Sequence, residues 1–61
     1  KMIKLRITFV DDKNGNKELA EVKEIINKNF EIINISKVYK GRNNSKYSNV
    51  YIDVSGKDNN E

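Results

Sequence analysis

The stretch Val38–Val54, VYKGRNNSKYSNVYIDV, decides the fold, because its pattern is typical of a β-hairpin. Its second half alternates: Val50, Ile52 and Val54 occupy every other position, with polar or aromatic residues between them. Successive side chains of a strand point to opposite faces of a sheet. The pattern therefore predicts a half-buried strand over residues 47–54.

The connection inside this hairpin is basic. It spans roughly residues 39–46, which is longer than a tight turn, and we expect it to be mobile or ordered by a partner. Lys40, Arg42 and Lys46 lie in it with no acidic residue beside them. The hairpin and its positive rim are therefore the first candidates for a binding site.

A first strand is predicted at residues 2–10, MIKLRITFV, where apolar and polar residues alternate. Its apolar face carries Ile3, Leu5, Ile7 and Phe9. The cluster DDKNG that follows is rich in turn-forming residues, so we expect it to end the strand and lead the chain out of the sheet.

A helix is predicted over about residues 16–28, with Asn16 or alternatively Asn14 as its N-cap. Apolar residues recur there at helical spacing, which predicts that one helix face covers the sheet. These residues are Leu19, Val22, Ile25 and Ile26.

A second strand is predicted at residues 30–39, but its pattern is irregular. Ile33 and Ile35 fall on one face, whereas Phe30 and Ile32 fall on the other. A bulge near Ile32, or a later start of the strand, would reconcile them.

The resulting order of elements, β-α-β-β, predicts an α+β fold with a three-stranded mixed sheet and one helix on one face. Strand order 1-3-2 is favoured over 1-2-3, because the last strand has the clearest apolar pattern. Residues 2–54 would form a single domain, and residues 55–61 a flexible polar tail. The sheet face away from the helix would carry Lys4, Arg6, Thr8, Asn49, Tyr51 and Asp53.

Sixty-one residues leave little room for a core. A chain of this size buries only about 60% of the surface that its unfolded form exposes. The sequence contains no cysteine, so a disulfide cannot compensate. We therefore expect association into a homodimer, which would add buried surface.

Composition argues against several classes of function. Histidine and cysteine are both absent, which removes the usual general base, nucleophile and soft metal ligands. Asp11 and Asp12 are adjacent carboxylates, but a pair without a third ligand is more typical of a solvated turn than of a metal site. We predict no enzymatic activity, catalytic residue, metal or cofactor. No apolar run suits a membrane span or a secretion signal, so we expect a cytoplasmic protein.

The candidate partner-binding residues are the cations and tyrosines of the hairpin. They would anchor a protein interface, bind phosphates and bases of a nucleic acid, or simply form a charged loop. Lys4, Arg6 and Tyr51 on the outer sheet face likewise suggest a single-stranded RNA reader, although a dimer or packing surface explains them more simply. The hairpin set consists of Lys37, Tyr39, Lys40, Arg42, Lys46 and Tyr47.

The same stretch resembles the carboxy-terminal signature of a family of short phage and Gram-positive bacterial proteins, and it also looks similar to phage-encoded Hachiman anti-defence proteins. The resemblance covers residues 2–54 and implies a non-enzymatic, dimeric inhibitor that binds a helicase-like or nuclease-like protein of a bacterial anti-phage system, in the host cytoplasm. It favours protein binding over nucleic-acid binding. The matching residues are Ser36, Lys37, Tyr39, Arg42, Ser45, Lys46, Tyr47, Val50, Tyr51, Asp53 and Val54.

Overall fold

One helix and an antiparallel sheet form the described part of the chain, residues 2–57 of a computed structural model. The elements follow the predicted order, except that the second strand is divided in two. They are β1 (Met2–Val10), α1 (Lys13–Asn29), β2 (Phe30–Ile35), β3 (Tyr39–Lys40) and β4 (Tyr47–Gly56).

β4 lies at the centre of the sheet, with β1 on one side and β2 and β3 in succession on the other. The α+β class and the predicted order 1-3-2 are confirmed. The prediction of three strands in a mixed sheet needs correction, because residues 2–57 contain four strands and each hydrogen-bonded pair among them is antiparallel. β1 and β2 run in the same direction but never pair, since β4 separates them.

β2 contains a bulge, which is the first of the two explanations that its irregular sequence pattern allowed. Ile32 pairs with Val54 and Ile35 pairs with Ile52, and the register shifts between Ile32 and Asn34. The extra residue is Ile33, which is exposed. The bulge therefore returns Ile35 to the same face as Ile32, although a regular strand would have placed them on opposite faces.

The helix begins at Lys13, three residues before the predicted start, so neither Asn16 nor Asn14 is its N-cap. Asp12 has extended backbone angles, and its Oδ1 accepts a hydrogen bond from the Gly15 N–H at 2.7 Å. Asn16 supports the same turn by donating from Nδ2 to the Asp12 carbonyl. The predicted turn at residues 11–15 is thus a capped first turn of the helix.

Gly15 allows the first turn of α1 to pack closely against the end of β1. It is buried, and a Cβ built on it would lie 1.6 Å from the carbonyl oxygen of Val10. Only glycine lets the helix backbone approach the end of β1 so closely. The glycine that suggested a turn in the sequence therefore serves the close packing of α1 against the end of β1.

The core lies between α1 and the sheet. Phe9, Leu19 and Val50 form its buried cluster, and Ile52 and Val54 of the central strand are fully buried as well. The alternation predicted for β4 accordingly places its apolar residues inside.

The helix covers the sheet with fewer residues than predicted. Leu19 is buried and Ile26 half-buried, but Val22 is 41% and Ile25 59% exposed. Leu19 and Ile26 are seven residues apart and share one direction, whereas Val22 and Ile25 lie on the flank of the helix.

The boundary between the domain and the predicted tail lies later in the chain than expected. β4 continues to Gly56, so Ser55 and Gly56 belong to the sheet and not to the predicted tail. The end of that tail, residues 58–61, lies outside the described residues.

Within residues 2–57, the helix is too short and too polar to cross a lipid bilayer.

Candidate interaction surface

The sheet face opposite α1, here called the outer face, carries the polar side of the strand pattern. Lys4 pairs with Asp53, Arg6 with Tyr51 and Thr8 with Asn49 across β1 and β4. The six residues predicted for this face therefore do lie together. Two contacts join the strands on the surface: Thr8 Oγ1 donates to Asn49 Oδ1 at 2.7 Å, and Lys4 Nζ lies 3.6 Å from Asp53 Oδ1.

Two tyrosines form the aromatic centre of the outer face. Tyr39 pairs with Asn49 in register, which places its ring beside Tyr51. The ring centroids lie 5.9 Å apart with an interplanar angle of 63°, an edge-to-face arrangement. Both side chains remain nearly half exposed, Tyr39 at 45% and Tyr51 at 43%, so this pair presents aromatic surface to solvent.

Ser36 holds the link between β2 and β3 against β4. Its N–H donates to the Tyr51 carbonyl at 2.9 Å, and its hydroxyl oxygen accepts from the Tyr51 N–H at 3.0 Å. This contact brings Lys37 onto the outer face, where its Nζ lies 5.5 Å from the centroid of the Tyr39 ring. The two predicted site residues Lys37 and Tyr39 are thus neighbours in space.

The basic turn between β3 and β4 is closed by its own hydrogen bonds. The Gly41 N–H donates to the Tyr47 carbonyl at 2.9 Å, and the Ser45 N–H donates to the Arg42 carbonyl at 3.1 Å. Asn43 and Asn44 both have positive φ, a conformation that asparagine tolerates better than most residues. At the end of the turn, Lys46 Nζ lies 5.4 Å from the Tyr47 ring centroid.

The six predicted site residues are not gathered into one patch. Lys37 and Tyr39 join the outer face, while Arg42 is exposed in the turn. Lys40 pairs with Ser48, which is buried on the helix-facing side of the sheet. Lys40 therefore lies on the opposite face of the sheet from Tyr39. Lys40 and Lys46 instead line one groove that Asp11 also borders.

Arg6 and Tyr51 belong to the surface but were not included in the predicted site. They face each other across β1 and β4 and border an open groove of about 530 Å³. The alternation of β1 and β4 in the sequence predicted that both residues lie on the outer face. That they lie directly opposite each other depends on the pairing register of two strands far apart in the chain. The groove is lined by Lys4, Leu5, Arg6, Tyr51 and Asp53.

Charge is unevenly distributed over the outer face. Asp53 and Glu31 both lie toward the end of β4 near Ser55, because Glu31 pairs with that residue. Lys4 is paired with Asp53 there. The part of the face around Tyr51 carries Arg6 and Lys37, and the described residues place no carboxylate within ion-pair distance of either.

Asp11 and Asp12, the adjacent carboxylates, are used in the local structure of the helix start. Asp12 caps α1, and Asp11 Oδ1 accepts a hydrogen bond from Asn16 Nδ2 at 2.8 Å. Within residues 2–57, no group of three or more acidic side chains is placed to hold a metal ion. The structure therefore gives Asp12 a capping role and Asp11 an exposed side-chain contact with the first turn of the helix.

Comparison of the chain with protein-family models, with curated proteins and with solved structures found no significant match. The fold and the surface themselves define a small α+β protein whose antiparallel sheet leaves an aromatic, partly cationic face uncovered by its helix.

Proposed function

We propose that this chain is a non-enzymatic binding protein whose partner is another protein. The observation that carries the proposal is the exposed Tyr39–Tyr51 pair with Lys37 and Arg6 beside it. Tyrosine and arginine are enriched among the residues that contribute most to protein interfaces. Arg42, which is exposed in the turn between β3 and β4, is a further candidate contact for the partner.

The target proposed for this surface follows from the family resemblance of residues 2–54. It is a helicase-like or nuclease-like subunit of a Hachiman-type anti-phage system, which a phage-encoded inhibitor would meet in the host cytoplasm. Inhibition would come from occupying a surface of the target, and it requires no catalytic group of this chain.

We also propose that two copies associate. Val22 and Ile25 leave an apolar flank exposed on α1, and Val22 borders a groove with Ile7 and Phe9 of β1, an edge strand. Burying this flank against a second copy would remove apolar surface from water. Such burial stabilises by about 25 cal/mol per Å² of apolar surface and would supplement a small core.

The test is co-purification from cells that express a Hachiman system. Tagged wild-type protein should retain a defence subunit and restore phage plating, whereas Arg42→Glu should reduce both. Lys17→Glu makes the same charge change at an exposed position of α1, on the opposite side of the sheet from the outer face, and should leave both unchanged. Absence of a retained subunit together with undiminished defence would contradict the proposal.

A nucleic-acid-binding module is the second candidate, favoured by the turn itself. Lys40 and Lys46 line one groove there, with Arg42 exposed nearby, an arrangement that suits a phosphate backbone. Gel shifts with single-stranded and duplex oligonucleotides test it. Retention that falls steeply with added salt would support it, and absence of binding at low salt would exclude it.

A further inference from the structure

Tyr39 and Tyr47 each have a lysine amine over one face of the ring, whereas the stacking platforms of nucleic-acid readers present open ring faces. Lys37 Nζ lies over the Tyr39 ring and Lys46 Nζ over the Tyr47 ring, at 5.5 and 5.4 Å from the centroids. A base that stacks on the covered face of either ring would have to displace this amine. A carboxylate could bind the same amine from its outer side and leave the cation–π contact intact.

Arg6 provides a further cation, and its guanidinium is more selective for a carboxylate than a lysine amine is. Its partner across the strands is Tyr51, and the described residues place no carboxylate within ion-pair distance of it, since Asp53 in the same groove contacts Lys4. A guanidinium presents donors in a planar fork that matches a carboxylate, which makes the bidentate pair one of the stronger polar contacts in proteins. Because Asp53, the carboxylate of this groove, contacts Lys4, the Arg6 guanidinium has no carboxylate partner among residues 2–57 and is available to one from a partner protein.

We infer that the outer face binds an acidic protein segment, with a partner carboxylate on Arg6 and an aromatic or aliphatic partner side chain against the Tyr39–Tyr51 pair. The inference rests on the proposed protein-binding function and names the chemistry of the partner. Charge complementarity favours this occupant, because Arg6 and Lys37 surround the pair while Glu31 and Asp53 lie toward one end of the face. Glu31 would repel an acidic segment that docked too far along β4, whereas Asp53 at that end is already paired with Lys4.

Fluorescence anisotropy with labelled probes tests the inference directly. The probes are a short peptide of alternating glutamate and tyrosine, the same peptide with glutamine replacing each glutamate, and a single-stranded oligothymidine of similar length. The wild-type protein should bind the glutamate peptide more tightly than the other two. Arg6→Gln should weaken that binding by about tenfold, the effect of losing a hydrogen bond between charged groups.

Lys17→Gln is the matched control, because it removes the same charge from the exposed surface of α1. It should change the affinity for the glutamate peptide by less than about twofold, the size of a weak surface electrostatic effect. Equal losses for the two variants would mean that only net charge matters and would overturn the inference. Tighter binding of oligothymidine than of the glutamate peptide at the same salt concentration would overturn it as well. Circular dichroism of both variants confirms that they are folded.

The co-purification experiment separates this inference from the proposed function. If a defence subunit is retained by the wild type and equally by Arg6→Gln, the inference is overturned while the proposed function stands. If no subunit is retained but the glutamate peptide binds in an Arg6-dependent manner, the chemistry of the face is supported while the proposed target is not.

Discussion

Ser36 and Tyr51 are joined by two hydrogen bonds, one from the Ser36 N–H to the Tyr51 carbonyl and one from the Tyr51 N–H to the Ser36 hydroxyl oxygen. The side chain of Ser36 thereby takes the place of a backbone carbonyl in the ladder of β4. This substitution accompanies the break between β2 and β3, where the regular pairing of the sheet edge stops.

Replacing Ser36 by alanine should remove one of these bonds and leave the Tyr51 N–H without its partner. We expect the free energy of unfolding to fall by about 1–2 kcal/mol, measured by urea denaturation. Ser55→Ala is the control, because the Ser55 hydroxyl makes only a long 3.5 Å contact with the Gly56 carbonyl. Equal effects of the two substitutions would show that the Ser36 hydroxyl does not support the ladder.

The edge-to-face contact of Tyr39 and Tyr51 should be measurable as a coupling energy. In a double-mutant cycle with alanine at each position, we expect a coupling of about 1 kcal/mol in unfolding free energy. The corresponding cycle for Tyr47 and Tyr51, which do not form a ring–ring contact like that of Tyr39 and Tyr51, should give a coupling near zero. A coupling near zero for Tyr39 and Tyr51 as well would contradict the geometry of the aromatic centre.

Gly15→Ala should be among the most damaging single substitutions in the chain. A Cβ at Gly15 would overlap the Val10 carbonyl oxygen at 1.6 Å, so the helix must move away from β1, at a cost of about 3 kcal/mol or more. Thermal unfolding followed by circular dichroism measures the effect. Gly56→Ala is the control, since its Cβ would meet nothing within 4 Å. Normal stability of Gly15→Ala would refute the close packing of α1 on β1.

The helix cap predicts a difference between two adjacent aspartates. Asp12→Ala removes the acceptor for the Gly15 N–H and should lower the unfolding free energy by about 1 kcal/mol. Asp11→Ala removes only an exposed contact with Asn16 and should have a smaller effect in the same denaturation experiment. The reverse ranking would place the N-cap elsewhere.

Self-association is tested by the mass in solution. Sedimentation equilibrium should give about twice the chain mass of 7.1 kDa at micromolar protein. Ile25→Glu, which places a charge on the exposed apolar flank, should shift the equilibrium toward monomer because a buried, unpaired carboxylate is costly. Ala20→Glu adds the same charge at another exposed position of the helix and should leave the mass unchanged. A wild-type monomer would refute the proposed dimer.

Much of the fold was readable from local patterns. The period-two alternation of residues 2–10 and 47–54 predicted both long strands and their faces. The conflict around Ile32 indicated either a bulge or a later start of the strand, and the structure has the bulge. These features are local because a strand's alternation assigns each side chain to a face whatever strand it pairs with. The helix was also predicted, but its predicted start was three residues too late. Gly15 and the neighbouring asparagines favour turns in most contexts, so the sequence indicated a turn where the helix has its first turn.

The candidate surface was readable only in part. The sequence indicated that Arg6 and Tyr51 share the outer face and that Tyr39 and Lys37 belong to a basic hairpin. Which of these groups meet depends on the pairing of strands far apart in the chain, which no local pattern encodes. The register of β3 on β4 brought Tyr39 to Tyr51 and turned Lys40 to the other side.

By itself, the sequence determined the element order, the two faces of the main strands and the absence of histidine and cysteine chemistry, since these follow from composition and short-range periodicity. Only the tertiary structure decided where α1 begins, which helix residues are buried and which cations stand beside which tyrosines. Those outcomes depend on packing between distant segments, such as Gly15 against Val10 and Ser36 against Tyr51, and such contacts exist only once the sheet has assembled.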